Sequence, residues 1–214
     1  MAAVNLKKDL IMTTHQLLKC DGLKSISIRK ISQACGCTSA VIYRHFEDLD
    51  DLIFLASIKF LENYVFQIQK IVNEDTDPIV MNDAMWEIFV TEAFDNVEVF
   101  LLLFFGERKD TLTEKIFEYY QMFPDSWHAL GGLFTSIFFH NNLEERITIM
   151  MTRAAAVRRI NFKDIKPLAH LQCELFHGML NDYRLTYRQP GKKEEAITLF
   201  METLKSLNEH YTIS

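Results

Sequence analysis

The sequence predicts an all-α protein with a small N-terminal helical head and a larger helical body. Three observations carry this. Apolar residues recur at three- and four-residue spacing in almost every segment, no stretch alternates apolar and polar residues as a half-buried strand would, and caps and breakers punctuate the chain at helix-length intervals. With 214 residues and 49% apolar content the chain can bury a full core. The expected division is a helix-turn-helix domain over 1–47 and a second helical domain over 48–214.

Residues 5–21 form the first expected helix, with Leu6, Leu10, Ile11, Leu17 and Leu18 on its buried side. Lys7 and Lys8 could approach a phosphate, or stand as two solvated lysines. Gly22 ends this helix as a left-handed cap.

Ser27 to Phe46 reads as two short helices about a tight turn. Ser27 is a good N-cap, with Ile28 and Ile31 sharing a face. Gly36 supplies a turn residue that accepts a left-handed conformation. Thr38 caps a second helix running to about His45. At 100° per residue, Thr38, Val41, Ile42, His45 and Phe46 share a packing side. Ser39, Ala40, Tyr43 and Arg44 face the other way. That exposed face is small to polar and suits a major groove: small side chains permit close approach, Arg44 can reach a guanine edge and Tyr43 a phosphate. The same pattern also fits an ordinary surface helix pair.

Glu47-Asp48-Leu49-Asp50-Asp51 opens the next helix, where carboxylates suit the positive end of the dipole. Anions near a phosphate backbone also weaken binding to it. One long helix is expected from about Asp48 to Asn73. Asp77-Pro78 starts another, cap then proline, to about Asn96. Val97 to Glu107 is nearly all apolar and is expected as a central buried helix. Thr111-Leu112-Thr113-Glu114 matches a capping box. Pro124-Asp125-Ser126 restarts the chain, and Trp127 to His140 is a further apolar helix containing Gly131-Gly132. Asn142 opens a helix to about Ile160. The last two helices are expected at 164–187 and 192–211.

The 164–187 helix has an apolar arc wider than one core needs. With the final helix it suggests a dimer face built from Leu168, Leu171, Leu175 and Met179 with Phe200, Leu204 and Leu207. A helix buried inside a larger monomer is the alternative.

Trp86, Phe89, Phe104, Phe105, Trp127, Phe138, Phe139, Met150 and Met151 are candidate walls of a ligand cavity, since aromatics and methionines make adaptable apolar surfaces. They are equally candidates for plain core. A cavity so lined takes an apolar or aromatic ligand, with His140, Asn141 and Arg153 as the nearest polar anchors. His170, Glu174 and His177 share one helical face at a spacing that could hold zinc. Cys35 and Cys37 could bind metal or sense oxidation. In both cases a solvated or packed structural role is the simpler reading, so no metal or cofactor is expected.

Net charge is −6, which argues against a protein that coats nucleic acid. The distribution is uneven: residues 1–60 hold eight Lys/Arg against six Asp/Glu, while the remainder hold fifteen against twenty-three. A mildly positive head on an acidic body fits a specific DNA reader. The four cysteines, at 20, 35, 37 and 173, form no disulfide framework, and the N-terminus lacks a secretory signal pattern. The longest apolar run, Val99–Phe105, is far shorter than the roughly 20 residues that span a bilayer. A cytoplasmic protein is expected. No nucleophile elbow, phosphate-binding glycine loop or His-Glu-x-x-His motif appears, so an enzyme is not expected.

Positions 5 to about 60 resemble the N-terminal domain of the tetracycline-repressor (TetR) family. The matching residues are Leu10-Ile11, Leu17-Leu18, Gly22, Ser27-Ile28-Arg29, Ile31, Gly36, Thr38 and the run Ile42-Tyr43-Arg44-His45-Phe46. The Tyr-x-His-Phe ending is the most specific part. The resemblance implies a homodimeric transcriptional regulator, usually a repressor, released from an operator by a small molecule. By position, Ser27 and Arg29 imply phosphate contacts, and Thr38, Tyr43 and His45 phosphate or sugar contacts. Ser39, Ala40 and Arg44 imply base readers. Many members have lysine where Ser39 and Leu49 stand. That difference, with the acidic 47–51 corner, keeps a competing class open: a helical ligand- or protein-binding module with a degenerate helix-turn-helix.

Overall fold

A computed structural model describes residues 2–71, 76–126, 140, 142–187 and 189–212, with side chains from Leu6 onward. The predicted fold class is the observed one. The described helices are α1 (Ala2–Asp21), α2 (Ile28–Cys35), α3 (Ser39–Ile42), α4 (Leu49–Ser57), α5 (Leu61–Ile71), α6 (Pro78–Asp95), α7 (Val97–Phe105), α8 (Leu112–Met122), α9 (Leu143–Arg158), α10 (Ile165–Arg184) and α11 (Lys192–His210). Among the described residues there is no strand, only an isolated bridge between Ile160 and Thr212.

The chain forms two compact units, Met1–Glu62 with Glu114–Trp127, and Asn63–Thr113 with His128–Ser214. In the first, α1 packs on α2 and α4, and α2 on α3. Leu10, Ile11, Ile31, Ile42, Leu52 and Phe54 are fully buried between them. Burial of such side chains contributes about 1.5–3 kcal/mol each. From α8, Ile116 and Tyr119 are also fully buried, and the Tyr119 hydroxyl donates to Glu62 Oε1 at 2.7 Å.

In the second unit α10 packs on α9, α7 and α11, and α6 on α9 and α11. Its centre is aromatic. Trp86 lies 5.1 Å from Phe200 and 5.9 Å from Phe89, and Phe89 lies 5.1 Å from Phe176, ring centre to ring centre. Tilted and edge-on pairs at these distances are favoured by the ring quadrupoles.

Several local expectations change. The helix expected from Asp48 to Asn73 is two helices separated by a 3-10 turn, Ile58–Phe60; apolar spacing continues through the turn and so hides it. Gly22 has φ 76 and ψ 163, a positive-φ conformation that favours glycine but whose ψ is not that of the expected left-handed cap. Thr111 ends a 3-10 turn, Lys109–Thr111, that runs directly into α8. Its hydroxyl donates to the Arg108 carbonyl at 2.8 Å. The expected helix from Trp127 to His140, with Gly131-Gly132, lies almost wholly outside the described residues.

Candidate nucleic-acid interface and body cleft

The head's motif is built by two local devices. Ser27 has extended backbone, φ −150 and ψ 154, and its Oγ accepts from the Lys30 N–H at 3.2 Å, opening α2. Gly36 closes it in the left-handed region, φ 63 and ψ 31. The Cys37 N–H then reaches back to the Ser32 carbonyl at 2.9 Å, satisfying a carbonyl the helix end would otherwise leave open.

The second helix is shorter than expected. It spans Ser39–Ile42 rather than running to His45. Beyond it Arg44 N–H bonds to Val41 O at 3.2 Å and His45 N–H to Ile42 O at 3.0 Å, the tighter spacing of a 3-10 turn. This tightening accompanies the descent of Phe46 into the core, where it is 3% exposed. Thr38 occupies the cap position without a side-chain cap bond, and it is exposed rather than packed.

Ser39, Ala40, Tyr43 and Arg44 are exposed together, as are Ser27 and Arg29; His45 is half-buried. Tyr43 keeps 58% of its surface open. Neither Arg29 nor Arg44 has an ion pair among the described residues. The basic residues of α1 are used differently from expectation. Lys7 binds Glu118 at 2.7 Å and lies over the Phe46 ring, while Lys8 lies over Phe123. Lys7 is thereby engaged within the head, while Lys8 remains half-buried.

Two of the corner's four acids, Asp48 and Asp51, are tied into the structure, while Glu47 and Asp50 are exposed. Asp48 Oδ1 accepts from the Asp51 N–H at 2.7 Å and caps α4. Asp51 is buried and pairs with Lys115 at 2.6 Å. Cys35 and Cys37 are free half-buried thiols.

In the body, four expected cavity residues are buried among the core side chains. Trp86, Phe89 and Met150 are 3%, 7% and 7% exposed, and Met151 is fully buried. The helical spacing that marked them serves both roles, and here α6 and α9 face each other. Phe104 and Phe105 do line an open cleft of about 520 Å³. Its other walls come from His140, Glu144, Glu145, Lys109, Lys166, Cys173 and Glu174, so its rim is charged rather than sparsely polar. Sequence reasoning named His140 as a polar anchor but did not place the others at this cleft, because they converge from separate helices. Trp127, Phe138, Phe139 and Asn141 lie outside the described residues, and Arg153 is exposed away from the cleft lining.

Behind Phe104 sits the buried Arg146 guanidinium, 5.8 Å from the ring centre. Its Nε donates to the His140 carbonyl at 3.2 Å, and burial pulls its pKa down to about 10, which leaves it cationic at neutral pH. Burial pushes the Cys173 thiol up to about 12, with Glu174 and Glu144 adding to the effect, so it stays protonated.

The three-residue zinc arrangement is dispersed. His170 Nδ1 lies 2.9 Å from Glu144 Oε2, which raises its pKa, and His177 stacks on Phe105 at 4.0 Å. Among the described residues no group of three or more His, Cys, Asp or Glu is placed to hold a metal ion. None of the described helices is long and apolar enough to cross a membrane.

The proposed dimer residues divide. Leu168, Phe200 and Leu204 are buried in the chain's own core, 0–1% exposed, because the wide apolar arc of α10 is met by α9, α7 and α11. Leu171 is exposed, and Leu175, Met179 and Leu207 are half-buried.

Residues 10–55 match the family of bacterial regulatory proteins described as the tetR family. No curated protein matches the sequence. Among solved structures, a TetR transcription regulator from Haloarcula marismortui is 13% identical, with 98% of this chain and 99% of that one covered, at TM-score 0.60. Thermus thermophilus FadR, a TetR-family repressor in complex with lauroyl-CoA, is 8% identical over 97% and 95%, at 0.59. NalD of Pseudomonas aeruginosa, the secondary repressor of the MexAB-OprM multidrug efflux pump, is 14% identical over 96% of each chain, at 0.54.

Proposed function

We propose that this chain, whose N-terminal domain is of the tetR family and whose fold is that of TetR-family transcription regulators, is a homodimeric repressor released from its operator by a small effector. The observation that carries this is the joint exposure of Ser39, Ala40, Tyr43 and Arg44 behind the Gly36 turn. Side chains of this kind on a short helix read base edges, while Ser27, Arg29, Thr38 and His45 supply positioning contacts to phosphate or sugar. One head per half-site gives a palindromic operator. The protein acts in the cytoplasm, with a reading head over 1–47 and an effector and dimer domain over 48–214.

Leu171, Leu175, Met179 and Leu207 form the dimer contact, since they remain accessible on the last two helices. The cleft takes the effector: its apolar or aromatic part lies against Phe104 and Phe105, and its polar part meets the charged rim. Lauroyl-CoA in Thermus thermophilus FadR pairs an apolar chain with a polar group in the same manner, and so supports this division. The effector acts by binding two conformers with different affinity. The test is DNA binding by full-length protein across a panel of amphipathic ligands, with binding read by protein fluorescence. A ligand that binds should weaken DNA affinity by roughly 5–150-fold, the usual range of such coupling. Ligands that bind the cleft and leave DNA affinity unchanged would contradict the mechanism.

A further inference from the structure

The acidic corner that closes the helix-turn-helix is governed by a residue far away in sequence. Lys115, on α8, lies 2.6 Å from Asp51 Oδ1 and 3.0 Å from Glu118 Oε2, and Glu118 in turn holds Lys7 of α1 at 2.7 Å. The four charges alternate in sign and tie α8 to α1 and α4 within one compact unit. The Lys115 and Asp51 side chains keep only 18% and 10% of their surfaces, so water screens the pair weakly. Burial alone would lower the Lys115 pKa, but hydrogen bonds and charge from Asp51 and Glu118 outweigh it and raise it. The same balance holds Glu118 below the usual range, because burial is outweighed by Lys7 and Lys115.

Asp51 is also the keystone of the corner itself. Its Oδ2 accepts from the Glu47 N–H at 3.3 Å, and its own N–H donates to Asp48 Oδ1 at 2.7 Å. Glu47 follows Phe46, the last residue of the motif, directly. A buried carboxylate left without its cation either protonates or turns out toward water, and either change releases the 47–51 corner.

We propose that Lys115 is a positioning residue for DNA reading: it holds Asp51, which fixes the 47–51 corner and so the exit from the reading helix. The role rests on the DNA-reading function proposed above.

The experiment uses full-length protein and a duplex enriched from a random pool by the wild type. Affinity is measured for wild type, Lys115→Met, Lys115→Arg, Asp51→Asn and the Asp51→Asn/Lys115→Met double variant. Amide hydrogen exchange over 47–51 is followed in parallel. Lys115→Met should weaken binding about tenfold and speed exchange at the corner, while Lys115→Arg stays within about threefold of wild type. The double variant should bind no more weakly than Asp51→Asn alone, since the two residues act as one unit. If Lys115→Met does not fold, Asp51→Asn must carry the same loss. Wild-type affinity in Lys115→Met overturns the role, as do losses that multiply in the double variant, which would mark a direct phosphate contact. A wild type that enriches no sequence overturns the DNA reading itself, and the role with it.

Discussion

Trp86 Nε1 donates to Gln172 Oε1 at 3.2 Å in the middle of the body's aromatic core. Gln172 is fully buried, and its Nε2 passes the chain on to Asn208 Oδ1 at 2.8 Å and meets Met151 sulfur at 3.3 Å. One amide therefore joins α6, α9, α10 and α11. Gln172→Leu keeps most of the volume but strips partners from a buried indole N–H and a buried amide. Each orphaned group costs about 1–3 kcal/mol. The variant should unfold at a denaturant midpoint lower by an amount matching about 2–6 kcal/mol, with unchanged m. An unchanged midpoint would show that the relay contributes nothing.

Gly36 sits at φ 63, and a Cβ placed there meets no atom within 4 Å. The cost of Gly36→Ala is thus backbone conformation alone, about 1–2 kcal/mol. Gly36→Asn should cost less, because asparagine tolerates the left-handed region. Thermal unfolding of the three proteins checks the order Gly, Asn, Ala. Equal stability of all three would mean that the turn relaxes.

His15 is buried against the Phe60 ring, 4.5 Å between centres. Burial, with Lys59 nearby, lowers its pKa from 6.5 to about 4. The unfolded chain therefore binds a proton that the folded head refuses, and stability falls as pH drops from 6.5 towards 4. The full effect is on the order of 3 kcal/mol, and it is wholly recovered above 6.5. His15→Phe should flatten this part of the stability profile, so that the plateau extends below about pH 6.5. A wild-type profile flat between pH 6.5 and 4 would contradict the burial argument.

What could be read from the sequence was local. Ser27, Asp48, Asp77 and Asn142 are caps because each side chain reaches an N–H two or three residues on, and all four accept such bonds. Gly36 was legible because few residues adopt its conformation. Tertiary choices were not. The apolar spacing of Trp86 and Phe89 is the same whether they face a cavity or Phe200 and Phe176. Leu168 and Leu171 belong to one apolar arc, yet one is fully buried and the other 40% exposed. Lys7 and Asp51 looked like surface charges because their partners, Glu118 and Lys115, lie more than sixty residues away. Gln172 and Asn208 gave no signal, since isolated amides on otherwise ordinary helices are usually exposed.

The central claim is that the exposed Ser39–Arg44 face reads DNA. The most direct measurement is fluorescence anisotropy with DNA from upstream of the gene and with random DNA, across a salt series, for wild type and Arg44→Ala. The account predicts wild-type binding that exceeds random DNA, weakens with salt, and loses about 1–3 kcal/mol in Arg44→Ala through that one base contact. Binding to a sequence-selected duplex that Arg44→Ala leaves unchanged would contradict it.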